Sequence, residues 1–88
     1  MDRPELEITY RGGKPAKAYL TLPRRRGDRA DRTLPHGHAL VVDYAADGTP
    51  IGIEIEAVTA GTIPHLRRLL NELGVKGVDA HELARLGH

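Results

Sequence analysis

The side chains best suited to chemistry in this 88-residue chain fall into four groups. "HGH" sets His36 and His38 two residues apart. On a strand that spacing puts both imidazoles on one face, the beginning of a Zn²⁺ or Ni²⁺ site. Such a site needs further ligands. The chain has no cysteine, and the nearby carboxylate of Asp43 has the opposite strand parity, so the ligand count is not met. "HELAR", His81 to Arg85, begins like the H-E-x-x-H helix of a zinc protease. Arg85 stands where the second histidine belongs, and His88 lies beyond Gly87, so no two-histidine face forms.

Glu54 and Glu56 share one strand face, an arrangement that suits an acid/base pair. Without a pocket, two outward carboxylates are the solvated side of an antiparallel sheet, here facing Lys17. The fourth group is Arg24, Arg25, Arg26, Arg29 and Arg32 in "RRRGDRADR". Clustered guanidinium groups attract phosphates, but Asp28 and Asp31 interrupt the run and no aromatic stacking platform accompanies it. None of the four groups supplies a nucleophile–base pair or a metal set. The expectation is a protein that is not an enzyme and carries no cofactor.

The elements that position these residues are legible from periodicity. "ELEITYR" alternates, with Leu6, Ile8 and Tyr10 opposite Glu5, Glu7 and Thr9, which predicts a half-buried strand over 5–10. "GGKP" is a turn. "AKAYLTL" resumes the alternation over 16–22. From Pro23 to Pro35 the chain is charged and aperiodic, and reads as a mobile basic loop over 23–35. "HALVVDY" predicts a strand over 38–44. Asp47-Gly48 marks a tight hairpin. "PIGIEIEA" then predicts a strand over 50–58, with Ile51, Ile53 and Ile55 inward. A one-residue slip would expose three isoleucines and bury two glutamates, so the register is pinned. Past Thr62 the period lengthens: Ile63, Leu66, Leu69, Leu70 and Leu73 describe a helix over 63–73, with Thr62 as N-cap and Gly74 as its stop. Asp79 and Glu82 open a second short helix over 80–86. The implied fold is one α+β domain spanning 1–88: a four-stranded antiparallel β-meander covered on one face by the first helix, with the second helix beside it.

Composition bounds the rest. Thirteen Lys/Arg against twelve Asp/Glu give a net charge of +1, and the chain has three tyrosines but no Phe or Trp. A chain this short buries about 60–65% of its unfolded surface, and aliphatic side chains alone bring little area per residue. That shortage points to a second copy of the chain as partner, a homodimer. No apolar run is long enough to span a membrane and the N-terminus has no signal-like segment, so a cytoplasmic location with no membrane partner is expected.

"VVDYAADGTPIGIEIEA", with "ITY" (8–10) and "AYLTL" (18–22), resembles the bacterial family designated domain of unknown function 2283. That family closes on a D-x-D-G-x-x-x-G-I-E-I type of hairpin. Asp47, Gly48, Gly52 and Glu54 stand at the matching positions and Asp43 supplies the leading Asp, two residues further upstream than the pattern sets it, within a resemblance that covers residues 6–60. The chain departs from the family at Arg11 and "PAKAY", where acidic residues are usual, and in its basic loop and terminal helices. The family brings no established activity. Its resemblance implies an uncharacterised interaction module, antitoxin-like or regulatory toward another bacterial protein, with Glu54 the motif residue to test first. The alternative from the residues themselves is a nucleic-acid-associated regulator using the arginine loop.

Overall fold

The computed structural model describes residues 4–23, 27 and 29–87. Among these, β1 is Glu5–Arg11, β2 Lys14–Thr21, β3 Arg32–Pro35, β4 Leu40–Tyr44, β5 Pro50–Ile55, α1 Thr62–Leu73 and α2 Ala80–Ala84. The fold is α+β, with all strand pairs antiparallel in a five-stranded sheet of order β1-β2-β5-β4-β3. No helix of the described residues is long and apolar enough to cross a membrane.

The sheet has five strands rather than four. The additional one, β3, lies inside the segment expected to be a mobile loop. All four of its residues are exposed, so burial leaves no alternation in the sequence to betray it. Its pairing with β4 is created by the partner strand. Arg24, Arg25, Arg26 and Asp28 of the same segment lie outside the described residues. The sheet is also not a continuous meander. The β1–β2 hairpin and the β3–β4–β5 meander join through β2 and β5. This order gives β2 and β5 two neighbours each, so their Leu and Ile side chains are flanked on both sides.

The register builds the core in rows across one face. Leu6, Leu20, Ile53 and Val42 form one row, and Ile8, Ala18, Ile55 and Leu40 the next. Leu66, Leu69 and Leu70 of α1 close over them, joined by Leu83 and Leu86. The predicted leucine stripe is therefore spent on the chain's own sheet. Thr62 is the first residue of α1 rather than its cap, which is Gly61. Its buried hydroxyl accepts from the Thr59 amide at 2.8 Å and fastens the helix start to the preceding bend. Gly74, at φ 72°, ends α1 as expected. In α2 the Asp79 carboxylate accepts from the His81 amide, whereas Glu82 pairs with Arg85 at 3.2 Å instead of returning to the cap.

Turn chemistry closes the hairpins. Gly12 and Gly13, both at positive φ, form the two-residue turn between β1 and β2, the geometry that matches the twist of the strands. At β4–β5 the Gly48 amide donates to the Ala45 carbonyl at 2.9 Å, and the Asp47 carboxylate accepts from the Thr49 amide at 2.9 Å.

Ile53 has no exposed surface and stands mid-row in the central strand. Truncation to Ala leaves a cavity that rigid neighbours cannot fill, and should cost about 2–5 kcal/mol. Urea unfolding followed by circular dichroism checks this. An unchanged midpoint would show that β5 is not paired as described.

Candidate functional site

The helices cover one face of the sheet. On the other face, polar side chains from β2, β3 and β4 meet around Gly52 of β5. Tyr19 on β2 stands directly opposite Glu54 of β5, but its ring leans diagonally over Gly52. There its hydroxyl donates to Asp43 Oδ2 on β4 at 2.8 Å. From the other side the Thr33 hydroxyl, on β3, donates to Asp43 Oδ1 at 2.8 Å. Asp43 is buried at 9% exposure, a costly place for a carboxylate unless its oxygens are bonded. Each oxygen receives one of these hydrogen bonds. A Cβ at residue 52 would overlap the Tyr19 hydroxyl and ring, so glycine is required by this close approach.

The residues of the hairpin motif thus separate by role. Asp43 and Gly52 belong to this cross-sheet clamp. Asp47 and Gly48 shape the β4–β5 turn. Glu54 is exposed on the open face, as is Glu56. Beside them Glu7, Thr9, Lys17 and Tyr19 complete a shallow groove of about 350 Å³. Its charged side chains are three carboxylates and one ammonium, all at the surface.

His36 and His38, expected to share a strand face, are separated. His36 follows β3, and its Nε2 lies 2.9 Å from the Tyr44 hydroxyl. His38 sits in the β3–β4 turn, where the Leu40 amide donates to the Gly37 carbonyl at 3.0 Å. The two central residues, His38 and Ala39, have φ of 57° and 61°. Positive φ in two successive side-chain-bearing residues is strained, by about 1–3 kcal/mol each. The His38 ring stacks on His65 of α1, centroids 3.3 Å apart and planes 9° from parallel. In-plane nitrogen lone pairs on stacked rings run parallel and do not converge on one ion, so this pair is not a chelate. Among the described residues no three His, Cys, Asp or Glu side chains gather as a metal cluster.

Of the arginines, Arg24, Arg25 and Arg26 lie outside the described residues. Arg29 is exposed, and the Arg32 guanidinium carbon lies 5.6 Å from the centre of the Tyr44 ring. Sequence reasoning missed the roles of Tyr19, Thr33 and His65. A signal for the first was present: a glycine interrupting an alternating strand marks the approach of another group. His65 looks like part of the solvated face of α1, and nothing local shows that a turn 27 positions earlier will stack on it.

Comparison with known family models, curated proteins and solved structures returned no match.

Two predictions follow from these contacts. Gly52→Ala should destabilise the chain by about 1–3 kcal/mol, because the methyl displaces Tyr19 and leaves Asp43 short of a donor. In a Tyr19→Ala background the same substitution should cost markedly less, which a double-mutant cycle by urea denaturation reads directly. Equal costs in both backgrounds would show that the ring does not lie over residue 52.

The second concerns pH. Partial burial, then the charges of His38 and Arg68, lower the proton affinity of His65 below its ordinary value of 6.5. The unfolded chain therefore takes up more protons than the folded one as pH falls through 6.5, and stability should drop there. Urea midpoints at about pH 7.5 and about pH 5.5 test this, with His65→Asn expected to shrink the difference. A midpoint that rises on acidification would contradict it.

Proposed function

We infer that this chain is a non-catalytic, cytoplasmic protein-interaction module that works both as a homodimer and as the regulatory partner of another protein. The observation that supports this most is the sheet face with no element over it among the described residues. The constellation of Tyr19, Asp43 and Thr33 on it is satisfied internally and holds strands together. What remains outside is a surface on which Glu5, Glu7, Glu54 and Glu56 outnumber Lys17 and Arg11, which suits recognition rather than bond-making. Such a surface steers a basic partner into place and discriminates against acidic ones. The resemblance to domain of unknown function 2283 points the same way, since the motif residues it highlights are either structural or, in Glu54, displayed.

The experiment combines mass and capture. Light scattering across a hundredfold dilution, with melting at each concentration, should show a dimer whose midpoint rises with concentration. Wild-type chain immobilised against an extract of its native cells should retain a partner that a Glu7→Lys/Glu54→Lys variant releases. A monomer throughout, with nothing retained, would overturn the reading.

A further inference from the structure

The two edges of the sheet differ. β3 is four residues long and ends at Pro35, whose nitrogen carries no hydrogen, so it is a poor template for another strand. β1 is seven residues, without proline or lysine. Its outward-facing groups can be identified. The Leu22 amide donates to the Ile51 carbonyl at 3.1 Å and the Val58 amide to the Ala16 carbonyl at 2.9 Å, so the even-numbered residues along β2 bond toward β5. Antiparallel alternation turns Lys17, Tyr19 and Thr21 toward β1, where they meet Thr9, Glu7 and Glu5. Leu6, Ile8 and Tyr10 therefore present their N–H and C=O groups to the free edge. A long contact of 3.4 Å from Arg85 Nη1 to the Leu6 carbonyl agrees with that direction and leaves the oxygen a second lone pair.

We propose that two copies of this chain pair antiparallel along the free edges of β1, in a register centred on Ile8. This rests on the reading of the chain as a self-associating module and names the surface. Centring on Ile8 sets Leu6 against the second copy's Tyr10 and Ile8 against its own counterpart, all backbone-bonded. The same register sets Glu7 against Thr9 and Glu5 against Arg11 on the open face. The strand is thus complementary to itself in charge. Arg11 stands opposite Lys14 within its own chain, an unfavourable like-charge pair, and the second copy's Glu5 neutralises it at both ends. Tyr10, 53% exposed in one chain, gains an apolar neighbour. Other registers do worse. Centring on Glu7 opposes two glutamates, and centring on Thr9 drops Glu5 and Leu6 from the ladder. Each chain contributes five strands, and the two sheets become one continuous sheet with its helices on a common face.

The test uses charge exchange and register-specific cross-linking in the full chain. Glu5→Arg or Arg11→Glu alone should each raise the dimer dissociation constant by about tenfold, and the two together should restore it to within about threefold. Both positions are exposed, so folding is preserved, and circular dichroism verifies it. Glu7→Cys and Thr9→Cys chains, mixed and oxidised, should form a disulfide-linked heterodimer, because non-hydrogen-bonded partners lie about 4.5 Å apart at Cα. Neither variant alone should cross-link. A dimer that ignores the charge exchange and gives no mixed disulfide overturns the β1 edge while sparing self-association. A monomer at every concentration overturns both.

Discussion

The hydrogen bond from Tyr19 to Asp43, drawn across Gly52, ties together more of this molecule than any other polar contact described. It begins on β2, crosses β5 and ends on β4, and the Thr33 hydroxyl carries the connection to β3. A buried carboxylate is costly when left unbonded. Two hydroxyl donors offset that cost, and a bond to a charged acceptor contributes about 1.5–3 kcal/mol. The arrangement also tolerates a glycine in a central strand, ordinarily a weakness, because the tyrosine ring covers it. The choice of glycine at 52 follows from one side chain needing room to reach another, and the Thr33 hydroxyl ties β3 to the same carboxylate.

Sidedness then decides what surface is left. Aliphatic rows on one face are closed by the leucines of α1 and by Leu83 and Leu86. Lacking Phe and Trp, this core is assembled from many modest side chains, so it depends on complete rows. The opposite face has no element over it among the described residues, and the clamp absorbs its best candidates for chemistry. Charged and edge groups remain.

The turn between β3 and β4 is the least comfortable part of the backbone. Its positions call for Asn-Gly and hold His38-Ala39. The stack of His38 on His65 lays this turn against the first turns of α1, while His36 meets Tyr44 on the far side. Strain of this kind persists where surroundings hold it, and here two aromatic contacts do so. They also explain why the two histidines of "HGH" serve different neighbours instead of one ion: positive φ swings the second away from the first.

Wherever one face is buried, periodicity is a physical imprint, and the sequence alone determined those parts. The alternation of Leu6 and Ile8, of Leu20 and Leu22, and of Ile51, Ile53 and Ile55 placed three strands, and the spacing from Ile63 to Leu73 placed α1. Gly48 and Gly74 marked a turn and a stop because only glycine takes their φ cheaply. The fifth strand left no such imprint, since Arg32 to Pro35 are all exposed and pair with β4. The strand order was equally silent, because a hydrophobic pattern says which face a strand buries but not which neighbour it joins. The motif residues were visible, yet their meaning was not. Asp43 could be seen as an acid in an apolar strand, and only the packing of Tyr19 and Thr33 around it made that acid structural. Contacts between residues far apart in the chain, such as His38 with His65, depend on where whole elements come to rest, and that is settled by the closing of the core.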